Sequence, residues 1–89
     1  MSSMRLAFIS DGARPLSSLG EGVRGVVASV RERRGRDSDR LMALGVTAGA
    51  AVTVLQTFPG VVFLCDQTEL VVEREVAKTI FVTVEENRR

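Results

Sequence analysis

Val52–Val72, VTVLQTFPGVVFLCDQTELVV, is the stretch that decides the fold. Val52–Thr57 is a strand-length run of β-branched and apolar residues, with Val52 and Val54 sharing one face. Pro59-Gly60 is turn chemistry. Val61–Cys65 is an unbroken apolar run of strand length, which predicts a strand buried on both faces. Asp66-Gln67-Thr68 turns the chain again into Glu69–Val72. Three short strands joined by tight turns specify antiparallel β structure.

The flanks extend the pattern. Val23–Val30 is rich in valine and opens at Gly22, and Gly25 inside it predicts a bend or a close backbone approach. Pro15–Leu19 predicts a single helical turn, since proline suits a helix start and Leu16 and Leu19 lie three apart. Arg31–Asp39 is polar and aperiodic, an expected exposed hairpin loop. Asp37 or Ser38 is then placed to cap a short helix through Leu41 and Leu44, with Gly45 ending it and Thr47–Gly49 turning. Glu73–Lys78 predicts one helical turn, acidic at its start and basic at its end. Ile80–Val84 is a last strand, and Arg5–Ile9 is a possible first one. The fold class is all-β, a small barrel of five or six strands with one-turn helices between them. Residues 1–14 are expected as an N-terminal extension, 15–85 as the barrel domain and 86–89 as a charged tail. Leu16, Leu19, Val27, Leu41, Leu44, Val52, Val54, Leu70, Ala77 and Ile80 are the expected core or its covering turns.

Composition narrows the function. The chain has 89 residues, 45% hydrophobic and 26% charged, a folded rather than disordered mix. With no Trp, no Tyr and four Phe, it lacks an aromatic platform for stacking bases. With no His, it lacks the usual general base and the commonest metal ligand. Its one Cys forms no internal disulfide and sits in an apolar strand, where a thiol packs rather than reacts. No serine has a histidine partner, and no glycine cluster has phosphate-loop spacing. The expectation is no enzyme, no cofactor and no small-molecule substrate. Asp66, Glu69, Glu73 and Glu75 are the only acidic cluster, too hard and too dispersed for a specific iron site, so no metal site is expected. No run approaches the ~20 apolar residues of a membrane helix and no signal-peptide core is present, so the chain is expected to be cytoplasmic without membrane insertion.

What remains is surface. Arg31, Arg33, Arg34, Arg36 and Arg40 make the densest basic stretch, which could meet phosphates or an acidic partner. Glu32, Asp37 and Asp39 lie among them, so a solvated loop is the plainer reading. The overall charge of +1 is small for a dedicated nucleic-acid binder. Arg31, Arg33, Arg34, Arg36 and Arg40, with Leu41 and Leu44 of the adjoining helix, are the candidate partner-binding residues.

Three segments together resemble one family. Leu16–Val27, LSSLGEGVRGVV, is similar to its L-x-x-L-x-x-G-x-x-G-x-V opening. Arg40–Val54, RLMALGVTAGAAVTV, resembles R-L-x-x-L-G-x-x-P-G-x-x-V-x-V, with Ala48 in place of proline. Glu69–Ile80, ELVVEREVAKTI, resembles its closing segment, with Glu73 in place of a basic residue. This is the FeoA family of small proteins that assist ferrous-iron transport. The resemblance implies an SH3-like β-barrel. It also implies a non-catalytic regulatory partner of the membrane ferrous-iron permease, docking on that permease's cytosolic G-protein-like domain. The alternative is a small-barrel nucleic-acid-binding or metal-dependent regulator domain that uses the Arg31–Arg40 loop.

Overall fold

A computed structural model describes residues 12–31 and 36–85, with residues 36 and 37 described by backbone alone. The expected Arg5–Ile9 strand and the 86–89 tail lie outside the described residues. Among the described residues six strands form: β1 (Ala13–Pro15), β2 (Arg24–Val30), β3 (Ala51–Gln56), β4 (Val61–Cys65), β5 (Thr68–Val72) and β6 (Ile80–Val84). A 3-10 turn covers Leu16–Ser18, and two helices, α1 (Arg36–Ala43) and α2 (Arg74–Ala77), interrupt the strands. Every pairing is antiparallel, in the order β1-β6-β2-β3-β4-β5. Register shifts fall between Val27 and Ser29 of β2 and between Val54 and Gln56 of β3. Such irregularities raise local twist, which lets a short sheet coil around its own core.

One apolar cluster fills the interior. The period-2 alternation of β3 puts Val52 and Val54 inside, and β4 contributes Val61, Phe63 and Cys65. The expectation that β4 is buried on both faces is corrected. Val62 and Leu64 are only half-buried, because the coiled sheet encloses a core on one face alone. Leu16 and Leu19 are both buried, so the turn after Pro15 plugs the core, packing against α2 and β6. Arg74 reinforces that closure. Its guanidinium donates to the Thr57 carbonyl at 2.7 Å and to the Ser17 carbonyl at 3.4 Å, tying α2 to the β3–β4 loop and to the 3-10 turn.

The expected loop over Arg31–Asp39 is corrected in its second half: α1 already begins at Arg36, so Ser38 lies inside the helix rather than at its cap. An earlier start places Asp39 near the beginning of the helix, where negative charge suits its dipole. The C-terminal end follows expectation. Gly45 takes φ +94°, its amide donates to the Met42 carbonyl at 3.0 Å, and the Val46 amide donates to the Leu41 carbonyl at 2.9 Å. That is a Schellman closure, and buried Val46 packs over buried Leu41 as the motif requires. No heavy atom lies within 4 Å of a Cβ built on Gly45, so a substitution there is resisted by backbone strain alone. Gly45→Val should therefore lower stability by about 1–2 kcal/mol and Gly45→Asn by less, read as thermal midpoints. Equal midpoints for wild type and Gly45→Val would overturn the assignment.

Nine of the ten expected core residues are buried, and Leu44 is the correction. It is 51% exposed, because the helix ends at Ala43 and Val46 folds back onto Leu41, taking the inward place a third helical turn would have given Leu44.

Candidate partner-docking site

The end of α1 faces the corner where β5 runs into α2. Between them lies a groove of about 290 Å3 lined by Arg40, Leu41, Leu44, Val71, Val72, Glu73 and Val76. Leu44 and Val71 form its exposed apolar walls, and Val71 is 68% exposed. Val72 and Val76 are half-buried, and Leu41, 3% exposed, belongs to the floor. Arg40 and Glu73 add one charge of each sign. The groove thus offers exposed apolar side chains beside one charge of each sign, a mix that protein interfaces share.

The structure divides the seven candidate partner-binding residues. Arg40 and Leu44 come together on the groove. Leu41 is corrected from an accessible contact to a core residue, since its side chain points inward beneath Val46. Arg31 goes elsewhere: its guanidinium sits 4.8 Å from the centroid of the Phe81 ring, a cation–π contact on the sheet. Arg33, Arg34 and the side chain of Arg36 lie outside the described residues. Sequence reasoning missed the far wall. Val71, Val72, Glu73 and Val76 come from some 30 residues downstream, and the signal for Val71 was its place opposite Leu70 in the alternation of β5.

Other features have structural roles. Burial, reinforced by the charge of Asp66, pushes the Cys65 thiol pKa up, and its Sγ lies 3.5 Å from the Gly45 carbonyl oxygen. A thiol held neutral is a packing group, not a nucleophile. The Asp66 carboxylate accepts the Ala51 amide at 3.0 Å, and Glu75 pairs with Lys78 at 3.2 Å. Among the described residues no three His, Cys, Asp or Glu side chains are placed to hold a metal ion. A second depression, about 320 Å3, lies at Gly22–Arg24 and Val84–Glu85. It holds the solvent-exposed Arg24–Glu85 pair at 3.6 Å, an interaction of little energetic weight. No described helix is long and apolar enough to cross a membrane.

Fold and groove together define a small SH3-like β-barrel with an open groove between α1 and the β5–α2 corner. The chain belongs to the FeoA domain family, whose model matches residues 14–84. The FeoA protein of Chlorobium tepidum is 31% identical over 84% of this chain and 73% of that one, with a TM-score of 0.74. The zinc-complexed FeoA of Stenotrophomonas maltophilia, described as a prokaryotic SH3 domain protein, gives a TM-score of 0.71 at 23% identity over 79% of this chain and 93% of that one. The IdeR protein of T. acidophilum shares the fold at TM-score 0.76 and 18% identity, over 82% of this chain and 34% of its own. Among curated proteins no sequence matches.

Proposed function

We propose that this chain is a non-catalytic accessory protein of ferrous-iron uptake. It acts by docking on the cytosolic G-protein-like domain of the membrane ferrous-iron permease, which places it on the cytoplasmic side. Family membership supports the iron-uptake setting. The observation that carries the mode of action is the groove, where Leu44 and Val71 stand exposed between Arg40 and Glu73. Iron is the permease's cargo on this reading, and the chain contributes a surface.

The test is a surface double variant, Arg40→Glu with Leu44→Asp. Both side chains are exposed, so the fold should hold; two acids at the C-terminal end of α1 oppose its dipole and should cost no more than about 2 kcal/mol of stability together. Docking anchors each contribute upwards of about 1 kcal/mol, so copurification with the permease should fall by tenfold or more. Wild-type copurification by a folded variant would remove the groove from the proposal. The alternative, a nucleic-acid-binding or metal-dependent regulator domain, draws on the fold shared with IdeR. Affinity for DNA that collapses between low and moderate salt would favour it instead.

A further inference from the structure

One wall of the groove is the end of a sheet edge. Among the described residues β5 pairs only with β4, and no described strand follows it in the order. The phase of its hydrogen bonds follows from the two-residue Asp66-Gln67 turn. The flanking pair Cys65–Thr68 is hydrogen-bonded, as are the alternate pairs Phe63–Leu70 and Val61–Val72. Glu69 and Val71, opposite Leu64 and Val62, occupy the non-bonded positions. Their backbone N–H and C=O groups therefore point away from β4, onto the open edge. The same two residues expose their side chains, while Leu70 is buried and Val72 half-buried. An unpaired edge with backbone groups presented at two-residue intervals is a template for an added strand.

The geometry points to strand addition: the β5 edge, flanked by α1 across the groove, binds an extended segment of a partner protein whose exposed face carries a basic residue and an apolar residue two positions apart. This rests on the reading of the groove as the docking face and specifies how that face is used. Charge selects the occupant. Glu69 and Glu73 line the edge, Arg40 is the one cation among the groove's lining residues and lies on the α1 side, and the neighbouring Arg74 is turned away to the Thr57 and Ser17 carbonyls. A cross-strand Lys or Arg opposite Glu69 is favourable, and an apolar residue opposite Val71 covers its exposed face. A second copy of this chain fits worse. Antiparallel self-pairing centred on Leu70 would set the two Glu69 carboxylates on adjacent diagonals, about 7–8 Å apart, with like charge.

The test uses the full chain and a decapeptide repeating Lys-Thr-Val-Thr, which sets Lys opposite Glu69 and Val opposite Val71 on one face, against its counterpart with Glu for Lys (the Lys-Val and Glu-Val peptides). The Lys-Val peptide should slow amide hydrogen exchange at Glu69 and Val71 by tenfold or more, with Leu70 and Val72, already bonded to β4, unchanged. Val71→Pro removes an outward-facing N–H and leaves the β4–β5 ladder its donors, so circular dichroism should be retained while peptide affinity falls at least tenfold. Glu69→Lys, which spares the backbone, should transfer the preference to the Glu-Val peptide. Protection confined to α1, or wild-type affinity in folded Val71→Pro, would overturn strand addition. So would a concentration-dependent dimer that protects Glu69 and Val71 without peptide, since it would put a second copy on the edge. Loss of permease docking in the Arg40→Glu, Leu44→Asp variant but not in Val71→Pro would leave the docking face standing and remove only the strand mode.

Discussion

Gly25→Val should abolish folding, and Gly25→Ala should lower the thermal midpoint by more than about 12 °C. Gly25 lies buried in β2, between Val52 of β3 and Val84 of β6. A Cβ at this position would come within 2.7 Å of Val82 Cγ1 and closer still to the Thr83 carbonyl oxygen. The methyl can rotate away; the carbonyl belongs to the central β2–β6 ladder and cannot move without opening it. Overpacking a tight site costs about 1–3 kcal/mol and more where backbone must shift, so about 3 kcal/mol is expected for alanine. In a domain this small each kcal/mol moves the midpoint by about 4–8 °C. Valine adds two methyls to the same clash, and its spectrum should show no cooperative transition. An alanine variant melting within about 2 °C of wild type would show that the ladder gives way freely, against this account.

Gly25 also illustrates what is legible in such a sequence. A glycine inside a valine-rich strand already points to a close approach, and the structure names what approaches. Turns were equally readable, because Pro15, Gly45 and Pro59-Gly60 act through local dihedral preference. Strand existence was readable from the runs at Val52, Val61 and Ile80. Failures fell where tertiary closure decides. Leu41 and Leu44 have identical helical spacing, but only the Schellman closure, with Val46 folding back, shows that Leu41 goes in and Leu44 goes out. Leu44 was thereby lost from the core and gained for the surface. The candidate site was half legible for the same reason. Arg40 and Leu44 were found on their own helix, whereas the wall formed by Val71 to Val76 exists only because the sheet brings β5 beside α1. Glu73, unusual against the family pattern, starts α2 with extended backbone, and the adjacent Arg74 makes the carbonyl contacts that close the barrel.

Phe63→Ala should remove most of the stability of the domain, while Phe58→Ala, five positions earlier, should leave it within about 0.5 kcal/mol. The two phenylalanines flank the same β3–β4 turn and differ in where the sheet puts them. Phe63 is 0% exposed at the centre of β4, paired with Val54 on one side and Leu70 on the other, and all three belong to the core. Phe58 stands 75% exposed in the connecting loop. Truncating a buried phenylalanine costs about 3–5 kcal/mol, from lost apolar burial and from the cavity left behind. A chain of this size buries only about 60% of its unfolded surface, so its total stability lies near the low end of about 5–15 kcal/mol. Phe63→Leu, which refills most of the space, should recover much of the loss, and that recovery separates a cavity effect from a disrupted turn. Urea denaturation of the three variants measures this directly. If Phe63→Ala and Phe58→Ala shift the midpoint equally, the closed barrel around Phe63 is wrong, and the docking face that depends on β5 and α1 being held against that core falls with it.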